Sequence, residues 1–327
     1  MTPETLQDQL TKYLTDVHSI EQQALAQMKA APNLTGGDPE LAHAFSDHLR
    51  ETEQHEALVA GRLEARGAKP APVKDLVGAL TGKGFVAFAA SQPDTPGKLA
   101  AHAYSYEHLE EAAYILLRLL AERVGDGDTT RVAGQIERQE HAMGERIERL
   151  FDRAVDGALR ELSPDDLDEQ LGKYLADAHA IEEQAIQLLQ KGPALAGDPE
   201  LATAYSEHLA ETEEHARLVE QRLKDTGGSP SRLKDAALRL GALNWGAFFA
   251  AQPDTPAKLA AFAYAFEHLE IAGYELLRGV AERAGDGQTV ELADRILGEE
   301  RAAAARIESL LPRGLDASLH EQSLPAR

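Results

Sequence analysis

The 327-residue chain carries 33 lysines and arginines against 55 aspartates and glutamates, a net charge of -22, and no cysteine. The charge argues against nucleic-acid phosphates or an anionic membrane surface as main partners. The missing cysteine excludes disulfides, thiolate metal ligands, iron–sulfur clusters and thiol redox chemistry. No apolar run approaches a membrane span, and "MTPETLQDQL" is not a basic segment followed by an apolar one, so an acidic, soluble, cytoplasmic protein is expected.

The periodicity is helical throughout, and strand-like alternation is absent. The first predicted helix covers about residues 4–30. The second, about 39–66, opens at Asp38-Pro39, a capping residue followed by a proline suited to the first helical position, and stops at Gly67. A long stretch follows, "GAKPAPVKDLVGALTGKGFVAFAASQPD", with a short extra helix predicted in its middle. The third helix, about 95–124, opens at Thr95-Pro96 and stops at Gly125, and the fourth covers about 129–156. The first and second helices, and the third and fourth, are joined by short loops, so each pair is an expected antiparallel hairpin. Four helices with one long crossover in the middle form the ferritin-like type of bundle.

The second half repeats the first. "KYLTDVHSIEQQAL" from Lys12 returns as "KYLADAHAIEEQAI" from Lys173, "SDHLRETEQHEAL" from Ser46 as "SEHLAETEEHARL" from Ser206, and "AERVGDGDT" as "AERAGDGQT". The period is too long for a solenoid. The expected fold is therefore all-α, with two tandem ferritin-like four-helix bundles over 1–157 and 162–315. Ser163-Pro164 starts the second, and 316–327 form a frayed C-terminal tail.

Polar residues interrupt the apolar stripes at the same places in both halves. Glu21 stands between Val17 and Ala24, and Glu182 between Ala178 and Ala185. The apolar face of the second helix passes through His48, Glu51 and His55, repeated as His208, Glu211 and His215. The third helix turns Glu107 and Glu110 inward, repeated as Glu267 and Glu270, while His108 and His268 face away and suit the surface. The fourth places Glu140 between Ile136 and Met143, and Glu300 between Ile296 and Ala303. Glu137 and His141 are not repeated, because Leu297 and Arg301 replace them. Acids at this density need compensation, by protonation, by histidine pairing, or by two divalent cations that neutralise four carboxylates. Carboxylate oxygen with imidazole nitrogen suits iron, manganese or zinc. The usual inward motif of such bundles is Glu-x-x-His. Here Glu51 and His55 are four apart, and the fourth helix has no repeated histidine.

"HLAETEEH", "EHLEIAGY" and "LGEER" resemble the YciE/YciF family of bacterial ferritin-like stress proteins, and the resemblance covers both halves. It implies rubrerythrin-like bundles, with the two halves packed as a pseudo-dimer like the family's homodimers. It also implies a di-metal site, iron or manganese, with Glu107/Glu110 and Glu267/Glu270 as the paired third-helix acids. Glu21/Glu182, Glu51/Glu211 and Glu140/Glu300 would supply the remaining carboxylates.

Two functions follow as expectations. In one, each bundle holds a carboxylate-bridged pair of iron or manganese ions that reacts with O2 or peroxide. Glu51 and Glu140 bridge, His48 or His55 gives nitrogen, and Tyr114 and Tyr274 either hydrogen-bond a ligand or simply fill the core. In the other, the polar core is vestigial and the protein is a helical scaffold or binding module. Its binding surface would be the aromatics of "FVAFAA" at Phe85 and "WGAFFA" at Trp245, unless these pack the two halves together. An iron-storage cage is not suggested by a tandem chain, and DNA protection is disfavoured by the charge.

Overall fold

Thr5 begins the first helix, α1 (Leu6–Met28), and its hydroxyl accepts from the Asp8 amide at 3.1 Å. Asp38 does the same for α2 (Pro39–Ala65), accepting from the amides of Glu40 and Leu41. These side chains satisfy amides that have no partner within the helix. The computed structural model describes residues 5–69, 94–228 and 254–326. The extra helix predicted in each crossover and the aromatic stretches at Phe85 and Trp245 lie outside the described residues.

In the first half α3 spans Thr95–Val124 and ends at Gly125, whose φ of 76° lies in the left-handed region that glycine adopts without strain. Asp126 then caps α4 (Gly127–Glu148), and α5 spans Phe151–Leu159. The second half repeats the plan with α6 (Leu167–Leu189), the four-residue α7 (Gly192–Leu195), α8 (Pro199–Asp225), α9 (Thr255–Ala284) and α10 (Gly287–Glu321). The chain divides into two units, Met1–Arg160 and Glu161–Arg327.

Each unit is a four-helix bundle. In the first, α1 packs on α2 and α3, and α4 packs on α2 and α3, closing a ring. The second does the same with α6, α8, α9 and α10. Arg66, just past α2, reaches Asp126 at 2.9 Å, whereas Pro96 at the start of α3 packs against Gly36 at the opposite end. The second and third helices of the bundle therefore run parallel, and the connection between them is the long one. Gly36 is required there: its φ is 61°, and a Cβ would come within 2.8 Å of the Pro96 ring.

Two expectations change in the fourth helix. In the first unit it breaks after Glu148, where Leu150 bonds back three residues to Ile147. This lets Phe151 pack edge-on against Tyr104, with ring centroids 5.3 Å apart. In the second unit the helix is continuous through Pro312 and runs to Glu321. Leu315, Ser318 and Leu319 are fully buried, so residues 316–321 belong to the packed helix and not to a frayed tail.

Asp126 ties one end of the first bundle together. It caps α4 through Thr129 and receives Arg62 and Arg66, each at 2.9 Å. Asp286 receives Arg222, but Thr226 stands where the first unit has Arg66. Asp126→Ala should cost the first unit about 2 kcal/mol, as a lost cap plus two half-buried pairs. Asp286→Ala should cost the second unit less. Thermal melts of the two variants check the order.

Candidate metal centre

α2 supplies both imidazoles. His48 and His55 are two turns apart, so both rings leave one face of the helix, and their centroids come within 6.4 Å. His48 Nε2 lies 2.9 Å from Glu107 Oε2 and 3.5 Å from Glu140 Oε2. His55 Nδ1 lies 2.7 Å from Glu140 Oε1 and 4.0 Å from Glu21 Oε1. The second unit repeats this: His208 Nε2 stands 2.8 Å from Glu267 and 3.4 Å from Glu300, and His215 Nδ1 stands 2.8 Å from Glu300 and 3.8 Å from Glu182.

Two donor sets result in each bundle, with the donor atoms of a set within 4.8 Å of one another. In the first they are His48, Glu107, Glu110 and Glu140, and then Glu21, His55 and Glu140. In the second they are His208, Glu267, Glu270 and Glu300, and then Glu182, His215 and Glu300. Glu140 and Glu300 belong to both sets of their units. The clusters are buried: Glu110 and Glu270 keep 1% of their surface, and neither carboxylate oxygen of either has a protein hydrogen-bond partner. A carboxylate so placed is costly unless a cation or a proton meets it. The orphaned oxygens, the mixed oxygen and nitrogen donors and the shared acid all fit a bound divalent cation. These buried clusters can hold a metal ion.

Burial is the largest influence on these acids and drives most of them up. From an ordinary 4.5, Glu21 and Glu182 rise to about 8, and Glu107 and Glu267 to about 7. Glu110 and Glu270 go well above 4.5, because burial is reinforced by neighbouring glutamates. Glu140 moves the other way: burial opposes its charge, but His55 and His48 outweigh it and hold the carboxyl low. Burial likewise opposes charge on the imidazoles, and the carboxylates overcome it. His48 and His55 rise, His208 reaches about 10 and His215 about 9. Protons on these acids offset part of the charge that a cation would otherwise neutralise.

Glu51 and Glu211 are not in the clusters. Glu51 is half-buried and Glu211 exposed, each bonding the outward nitrogen of its histidine, His48 Nδ1 at 3.2 Å and His208 Nδ1 at 3.1 Å. The inward position beside them belongs to Thr52 and Thr212, whose hydroxyls bond the His48 and His208 carbonyls. The structure therefore does not bring Glu51, expected to bridge, into either cluster, and its carboxylate bonds His48 Nδ1 instead. His108 and His268 are also corrected. They are buried, at 6% and 7% exposure, and bond the carbonyls of Tyr104 and Tyr264. Gly144 leaves room for the His108 ring, and that packing is not visible in helical periodicity.

Sequence reasoning missed the partners of the outward nitrogens. His55 Nε2 meets Gln139 at 3.3 Å, and His215 Nε2 meets Glu299 at 2.6 Å. Their place immediately before Glu140 and Glu300 was the available signal. The two tyrosines hydrogen-bond cluster acids: Tyr114 donates to Glu21 and Tyr274 to Glu182.

Among the described residues no helix is long and apolar enough to cross a membrane. No solved structure matches the chain. A family model described as a domain of unknown function, DUF892, matches residues 5–160 and again 166–320. With buried glutamate–histidine clusters at equivalent places in both units, the chain belongs to the DUF892 family and carries its domain twice in tandem.

Proposed function

We propose that the protein is a ferritin-like stress-response protein with a carboxylate-bridged pair of iron or manganese ions in each bundle, reacting with O2 or peroxide. The observation that carries the reading is the pair of orphaned, fully desolvated carboxylates, Glu110 and Glu270, at the same place in both units. The resemblance of the helices to the YciE/YciF stress proteins supports it. Glu21, His55 and Glu140 would hold one cation, and His48, Glu107, Glu110 and Glu140 the other, with Glu140 shared. In the second unit the sets are Glu182, His215 and Glu300, and His208, Glu267, Glu270 and Glu300. Iron or manganese, when bound, supplies electrons one at a time to an oxygen substrate.

The chain's own residues do the rest. Four glutamates and two histidines per bundle set a donor charge that two divalent cations neutralise. Tyr114 holds Glu21, and Glu51 holds the imidazole of His48, so the donors are oriented before a cation arrives. The apolar residues around the cluster keep bulk water out, which strengthens each charge interaction within it.

Elemental analysis of untagged protein grown with iron and manganese is the test. The expected content is about four metal ions per chain, followed by measurable turnover of peroxide or oxygen. A chain that stays metal-free after anaerobic loading with iron(II) would sink the reading and leave a helical scaffold with a polar core.

A further inference from the structure

The two clusters differ in how one imidazole is held. His215 gives its outward nitrogen to a carboxylate, Glu299, at 2.6 Å. His55 gives its outward nitrogen to an amide, Gln139, at 3.3 Å. The neighbours changed together. Arg295 donates to Glu299 at 3.2 Å from four residues earlier, and Gln135 donates to Gln139 at 3.3 Å in the same register. The other imidazole has a carboxylate on its outward nitrogen in both units, Glu51 for His48 and Glu211 for His208. The contrast is therefore confined to one cation position per unit.

An ionised carboxylate only accepts hydrogen bonds. When His215 carries a single proton, Glu299 holds it on Nε2 and leaves the lone pair on Nδ1, the atom that faces Glu182 and Glu300. The negative charge behind the ring also makes Nδ1 a stronger donor. An amide presents an acceptor oxygen and a donor nitrogen that exchange places by rotation. Gln139 turns its oxygen to both His55 Nε2 and Gln135, so it accepts from His55 at longer range, shares that oxygen with a second donor and adds no charge behind the ring.

Resting on the di-metal reading above, we propose that the position formed by Glu182, His215 and Glu300 binds a divalent cation at least about tenfold more tightly than the position formed by Glu21, His55 and Glu140. Glu299 is the positioning residue responsible, and the two units of one chain then load in order, the second before the first at this position.

The test uses the full chain, stripped of metal and titrated with manganese(II) alone, with free ion read from its electron paramagnetic resonance signal. Glu299→Gln should weaken one equivalent per chain by about 10- to 100-fold and leave the others unchanged. The pair Gln135→Arg with Gln139→Glu, which alters no net charge, should tighten one equivalent by a similar factor. Melting curves confirm that both variants are folded, and the second keeps the test open if the first is not. Variants that bind manganese(II) with every equivalent within about twofold of the parent would overturn the proposal and leave the di-metal reading standing. A parent chain that binds no manganese(II) would overturn both.

Discussion

Replacing Glu110 and Glu270 by leucine should lower the metal content from about four ions per chain to two or fewer and at the same time stabilise the metal-free protein. Each glutamate sits at 1% exposure with both oxygens unbonded, so it contributes a desolvation cost and no compensating contact until a cation arrives. Leucine is close in volume and carries no polar group to desolvate. Exchanging such a buried, unbonded polar group for an apolar one of similar size removes a cost of about 1–3 kcal/mol. For units of this size the shift is about 2–4 °C in melting temperature per kcal/mol. The opposite signs are what make the test decisive. Unchanged metal content with raised stability would remove these acids from the ligand set and sink the di-metal reading. Lost metal with lowered stability would mean that they also hold the bundle together.

The metal-free protein should lose stability steadily as pH rises from about 4.5 to 8, the reverse of ordinary acid denaturation. Glu21 and Glu182 titrate near 8 in the folded chain and Glu107 and Glu267 near 7, against 4.5 when unfolded. A folded pKa above the unfolded one means the folded state binds the proton more tightly. That contribution is complete below 4.5 and is lost as pH passes through 7 to 8. The histidines act in the same direction at higher pH: His215 and His208, raised to about 9 and about 10, add stability below 6.5 that disappears towards those values. Glu140 opposes this only in acid, since its lowered pKa contributes stability above 4.5 that is lost on protonation. The fall across this range should be on the order of 10 °C in melting temperature. Bound metal should abolish it, because cations replace the protons and bind better as pH rises. Melting curves with and without metal, taken from pH 5 to pH 9, check this. Parallel curves would show that no cation enters the clusters.

Much of the bundle was legible in the chain. Asp38-Pro39, Thr95-Pro96 and Gly125 mark helix ends through local geometry alone, and the helices begin or stop there. The inward direction of Glu21, Glu107, Glu110 and Glu140 followed from the 3.6-residue period, since each lies in line with apolar neighbours one turn away. The same period was too coarse to decide between Glu51 and Thr52. Adjacent residues differ by about 100° around a helix, and either fits a stripe wide enough to pack on two neighbours. The packing of α2 against α1 and α4 settled it, burying Thr52 and leaving Glu51 at the rim.

The break at Arg149 and Leu150 and the burial of His108 were not legible in the chain. Helical periodicity shows neither what lies across from a side chain nor where a helix yields: Phe151 meets Tyr104, and the imidazole lies against Gly144. By itself, the sequence determined that the chain is two copies of one helical unit and that each copy points acids and imidazoles into its core, because periodicity and repetition are properties of the order of residues. Only the tertiary structure decided which of those groups meet, that Glu140 and Glu300 are shared, and that one histidine leans on a carboxylate where its twin leans on an amide. Those outcomes depend on the rotation and height of each helix against its neighbours, which the packing of side chains across the bundle sets and no single helix encodes.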